Sequence, residues 1–88
     1  MHVVTVLTKS NCNNCVRARE ILRRLSTELG FTVELIDIET ATGSGLAREH
    51  GVMFAPGVLV DGRLSTYGRP SERRLRRDIE ASIVARRS

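Results

Sequence analysis

The stretch Thr8-Lys9-Ser10-Asn11-Cys12-Asn13-Asn14-Cys15-Val16, TKSNCNNCV, carries both cysteines of an 88-residue chain. Before it, residues 2 to 8 form a short block rich in valine and threonine that reads as a buried strand. After it, Ala18, Ile21, Leu22, Leu25 and Leu29 recur at spacings of three and four, with Arg17, Glu20, Arg23, Arg24 and Glu28 on the other side. That pattern predicts an amphipathic helix, stopped by Gly30, a residue free to take positive φ. The cysteines therefore fall where a strand hands over to a helix.

Working outward, residues 32 to 38 predict a second strand in which Val33 and Leu35 alternate against Thr32 and Glu34. Strand, helix and strand make a βαβ unit with parallel strands and a right-handed crossover. Thr40 to Gly45 reads as a polar loop, followed by a short helix at about 45 to 50 that Gly51 ends. In Val58-Leu59-Val60-Asp61-Gly62-Arg63-Leu64-Ser65-Thr66-Tyr67, Asp61-Gly62 is a strong hairpin signal, because a type I′ turn needs φ > 0 at both central positions. Gly68-Arg69-Pro70 breaks the pattern, and Ser71 is placed to cap a last helix in which Leu75, Ile79 and Ile83 repeat every fourth residue. The order β-α-β-α-β-β-α predicts an α/β fold: a four-stranded mixed sheet with helices on both faces.

Residues 1–88, 41% hydrophobic, fit one domain with a modest core. Two cysteines are too few for a disulfide-stapled scaffold, which leaves the thiols free for chemistry. No basic region precedes the short apolar run from His2 to Thr8, so no signal peptide is expected. No run is long enough to span a membrane. A cytoplasmic monomer is the expectation, and in that reducing compartment a close cysteine pair is catalytic or metal-binding more often than a permanent crosslink. The net charge of +4 comes mainly from arginine, with only two Phe and one Tyr to stack on bases. Its densest part, Arg73-Arg74 with Arg76-Arg77, is interleaved with Glu72, Asp78 and Glu80, which reads as a solvated helix face and not as a nucleic-acid surface.

A cysteine at the start of a helix meets unpaired backbone N–H groups and the positive end of the helix dipole, both of which favour a thiolate. Thiol pKa values at such positions fall from about 8.5 into the range of roughly 3.5 to 7.5. Cys12 has that place, and Cys15 lies one turn deeper on nearly the same face. The spacing supplies an attacking and a resolving thiol. Lys9 adds a cation three residues before Cys12, to favour the thiolate or to meet an acidic group; it also reads as an ordinary exposed loop lysine. Two further readings stand beside the redox pair. Cys12 and Cys15 could hold zinc with His2 and His50, or with the same pair of a second chain. They could equally be inert packing residues. Pro56, in Phe54-Ala55-Pro56-Gly57, sits before the third strand, and from sequence alone a trans turn proline is the better expectation.

A C-x-x-C opening the helix of an N-terminal βαβ, followed by Ala55-Pro56 before a hairpin and a closing helix, resembles the glutaredoxin-like branch of the thioredoxin superfamily over nearly the whole chain. The Lys9-Ser10-Asn11-Cys12 lead-in, the Ala55-Pro56 pair and the aromatic-Gly-Arg-Pro segment from Tyr67 to Pro70 look more like the small glutaredoxin-like electron donors of ribonucleotide reductase than like true thioredoxins. The resemblance implies a thioredoxin fold and a dithiol-disulfide oxidoreductase acting on protein disulfides. It implies that Cys12 is the nucleophile, that Cys15 resolves, and that Pro56 is cis and faces the pair. Ala55 would offer its backbone to an extended substrate segment, as an added strand does. It implies no bound cofactor beyond a redox-active disulfide, with electrons drawn from glutathione or from an NADPH-dependent reductase of the thioredoxin-reductase type. This chain has Asn13-Asn14 where glutaredoxins commonly place Pro and an aromatic residue, and Arg69-Pro70-Ser71 where they tend to carry a Gly-Gly-acid site for glutathione. An anion could still bind beside Arg69 and Ser71 at the N-terminus of the last helix.

Overall fold

The computed structural model describes residues 3–87. Its elements follow the order β1 (Val3–Thr8), α1 (Asn13–Leu29), β2 (Thr32–Asp37), α2 (Ala41–His50), β3 (Gly57–Val60), β4 (Arg63–Tyr67) and α3 (Glu72–Arg87). The strands lie side by side as β2-β1-β3-β4. β1 runs parallel to β2, and the β1/β3 and β3/β4 pairs are antiparallel. This is the predicted mixed sheet, with β1 and β3 at its centre.

Strand alternation sorts the side chains onto two faces. Val4, Val6, Val58 and Val60 meet Ala18, Leu22 and Leu25 of α1 and Leu75 and Ile79 of α3 in the larger core. Leu7, on the opposite face, packs with Ala47 of α2 and Val52. Helices therefore cover both faces, with α1 and α3 sharing one. Arg24 and Glu28 of α1 pair with Glu72 and Arg76 of α3, which ties those neighbouring helices together at the surface.

The hairpin turns at Asp61 and Gly62, both at positive φ (56° and 76°), as the type I′ signal requires. Its register is not regular. Val58 faces Thr66 but Leu59 faces Leu64, so Ser65 is an extra residue, a β-bulge. Ser65 is buried, and its hydroxyl donates to the Asp78 carboxylate of α3 at 2.7 Å.

One expectation is corrected. The segment from Thr40 to Gly45 is not a loop: α2 begins at Ala41. Thr40 caps it, its hydroxyl accepting the Gly43 N–H at 3.0 Å. Gly43 lies inside the helix because the helix crosses β2's end at very close range. A Cβ there would overlap the Asp37 carbonyl oxygen and stand 2.9 Å from Ile38 Cα. The glycine that reads as a loop signal is a packing requirement.

Candidate active site

After β1, the chain turns through Asn11, whose φ of 55° lies in the left-handed region that asparagine tolerates better than most residues. This brings Cys12 back in extended geometry (φ −127°, ψ 108°) as the N-cap of α1, one residue before its first turn. The Cys12 sulfur takes the place of the usual capping oxygen and accepts the Cys15 N–H at 3.1 Å. Its carbonyl accepts the Val16 N–H, also at 3.1 Å. Cys12 and Cys15 are joined in a disulfide with their Cα atoms 5.2 Å apart. The two are unequal in exposure: Cys12 is half-buried, and Cys15 is wholly buried beneath it.

The segment from Val52 to Pro56 approaches from the other side. The Ala55–Pro56 peptide is cis, and the Ala55 carbonyl oxygen stands 3.9 Å from Cys12 Sγ. Pro56 is buried and its carbonyl accepts the Gly68 N–H at 2.8 Å, which draws the end of β4 against the segment. The fold thus assembles Cys12, Cys15, Ala55 and Pro56 from positions 43 residues apart in the chain.

The remaining predicted residues stand further out. Lys9 is exposed on the connection between β1 and Cys12. Arg69 is exposed too, next to Gly68, whose N–H is bonded to the Pro56 carbonyl. The Ser71 hydroxyl accepts the Arg74 N–H at 3.2 Å and so caps α3 itself. Among the metal candidates, His50 ends α2 and His2 lies outside the described residues. Among the described residues, no three His, Cys, Asp or Glu side chains converge into a group that could hold a metal ion.

Sequence reasoning missed the apolar apron beside the disulfide. Met53 and Phe54 are 87% and 61% exposed, and the Tyr67 ring packs against Phe54 at a tilt of 39° with ring centroids 4.9 Å apart. Tyr67's hydroxyl accepts the Met53 N–H at 2.8 Å. One signal was available: in a chain with three aromatic residues, Phe54 stands two positions before Pro56. Tyr67 is marked only as the aromatic of its aromatic-Gly-Arg-Pro segment; its place beside Phe54 is not, because the bulge that brings it there is not legible in the residues.

A two-residue-spaced disulfide at a helix tip, with one sulfur reachable and one hidden, is suited to thiol-disulfide exchange. A family model described as a thioredoxin domain matches residues 2–80. An uncharacterized protein of Mycobacterium tuberculosis is 44% identical over 82 residues, covering 90% of this chain and 84% of that protein. Among solved structures, a mutant thioredoxin from Halobacterium salinarum superposes with a TM-score of 0.69 at 22% identity, over 92% of this chain and 74% of its own. The glutaredoxin of a buckwheat glutaredoxin–glutathione complex does so with a TM-score of 0.62 at 18% identity, over 96% and 78%. At those identities the two structures speak for the fold.

Proposed function

Because this chain belongs to the thioredoxin-domain family, we propose that it is a dithiol-disulfide oxidoreductase that reduces protein disulfides through Cys12 and Cys15. The observation that carries the reading is the asymmetry of the pair. Cys12 caps the helix within reach of solvent, with a backbone N–H on its sulfur, and Cys15 is buried one turn below. An incoming disulfide meets Cys12 first.

In the reduced protein the Cys12 thiolate, favoured by the α1 N–H groups and dipole, attacks one sulfur of the substrate disulfide. A Cys12–substrate bond forms, and the second substrate sulfur leaves as a thiolate that takes up a proton. Cys15, deprotonated, then attacks Cys12 Sγ; the intramolecular disulfide closes and the first substrate sulfur leaves. Two electrons pass from the pair to the substrate. Ala55 offers its backbone edge to the substrate chain beside the reacting sulfur, with Pro56 behind it. Lys9 and Arg69 flank the approach as cations.

The protein works as a single-domain monomer in the cytoplasm, where a reductant must reopen the Cys12–Cys15 bond. An NADPH-dependent reductase of the thioredoxin-reductase type fits better than glutathione. A glutathione carboxylate at the α3 N-terminus would compete with the cap that Ser71 already supplies and with Glu72 in the first turn.

The test is insulin-disulfide reduction. Cys12→Ser abolishes turnover, and Cys15→Ser accumulates mixed disulfides with the substrate; turnover retained by the Cys12 variant refutes the assignment. Running the assay with glutathione and its reductase in parallel with NADPH and thioredoxin reductase identifies the electron source.

A further inference from the structure

Residues 52–56 cross from α2 to β3 outside any helix or strand. Val52, packed with Leu7 and Ala47, and the buried Pro56 anchor the two ends of this segment; the end of β4 holds what lies between. Tyr67 grips the segment twice, through its hydroxyl on the Met53 N–H at 2.8 Å and through its ring on Phe54. Gly68 adds a third hold with its N–H on the Pro56 carbonyl at 2.8 Å. The Phe54 ring lies over Gly68, 3.4 Å from where a Cβ would stand.

The bulge at Ser65 creates this arrangement. In a regular hairpin turning at Asp61-Gly62, Thr66 would face Gly57. With Ser65 inserted, Tyr67 faces Gly57 instead, next to the segment that carries Pro56. The partly buried Ser65–Asp78 hydrogen bond keeps the extra residue in place.

We propose that Tyr67 is a positioning residue for substrate selection: it locks the Met53–Ala55 edge so that an extended protein segment, not a small disulfide, is presented to Cys12. The proposal rests on the oxidoreductase reading above. A protein substrate lies along the locked edge and against the exposed Phe54 ring. A small disulfide reaches Cys12 without touching that edge and gains nothing from it.

The experiment compares wild type, Tyr67→Phe and Tyr67→Ala on insulin and on oxidised 2-mercaptoethanol. Phenylalanine keeps the ring contact and removes only the hydroxyl. In Tyr67→Phe, the ratio of kcat/KM for insulin to that for the small disulfide falls about five-fold, chiefly through KM. That corresponds to about 1 kcal/mol at tenfold per 1.4 kcal/mol, in the range of a single hydrogen bond. Tyr67→Ala lowers the ratio further, because the ring support is lost as well. Amide exchange at Met53 accelerates in both variants, a readout independent of turnover. A Tyr67→Phe ratio within about twofold of wild type overturns the assignment, whatever the exchange rate does. Wild-type protein inert toward both substrates overturns the oxidoreductase reading instead, so the two failures are distinct.

Discussion

At the scale of single residues, Cys12 and Cys15 differ less in kind than in address. The same thiol is a cap in one place and a core side chain in the other, since Cys12 accepts a backbone N–H at the helix tip while Cys15 is fully enclosed. With the disulfide reduced, iodoacetamide at pH 7 should label Cys12 at least about ten-fold faster than Cys15, as a thiolate-favouring, accessible site demands. Peptide mass spectrometry reads the two rates, and equal labelling would contradict the division of roles. Asn11 makes the geometry possible by turning the chain at φ 55°. Asn11→Gly should leave stability nearly unchanged, whereas Asn11→Val should cost about 1–2 kcal/mol in urea unfolding, because a β-branched side chain opposes the left-handed region.

At the scale of elements, caps and close approaches decide where helices begin. The start of α2 depends on Thr40 above and on Gly43 against the Asp37 carbonyl. Gly43→Ala removes a poor helix former yet should destabilise the protein by about 1–3 kcal/mol, since the new methyl meets backbone that must shift. Thermal unfolding decides this: a stabilised Gly43→Ala would mean that the helix does not lie that close to β2's end. α3 begins at a true cap, and Ser71→Ala should cost about 1 kcal/mol through the lost acceptor for the Arg74 N–H.

At the scale of the whole molecule, the sheet and helices are linked by polar contacts of unequal weight. The α1–α3 pairs, Arg24 with Glu72 and Arg76 with Glu28, stand in solvent, where such pairs contribute little. Asp78 is different because it holds the bulged Ser65 to α3. Burial would raise its carboxyl pKa, but the Ser65 hydroxyl and the Arg77 guanidinium, with Arg74 nearby, together bring it below the ordinary carboxylate value. A depressed folded-state pKa means that the charged carboxylate stabilises the fold. That contribution is complete above the ordinary carboxylate range and is lost as pH falls through the lowered value. The melting temperature should therefore drop on acidification from about pH 5 downward, and Asp78→Asn should flatten part of that drop. An Asp78→Asn profile parallel to wild type would show that this carboxylate does not couple folding to pH.

Much of the architecture is legible in the amino-acid sequence. The hydrophobic periods of β1, α1 and α3, the Asp61-Gly62 turn and the strand-to-helix address of Cys12 and Cys15 are local properties, set by side chains within a few residues of one another. Two features are not. Gly43 reads as loop because its need for a small side chain comes from Asp37, on a different element. The bulge at Ser65, and with it the arrival of Tyr67 beside Met53 and Phe54, depends on how α3 holds Ser65 through Asp78. The chain by itself determined the order of strands and helices and where the thiols lie along it, because periodicity and turn chemistry act over short range. Only the tertiary structure decided which sulfur faces solvent and what stands across from it, because exposure and contact belong to segments that meet after folding.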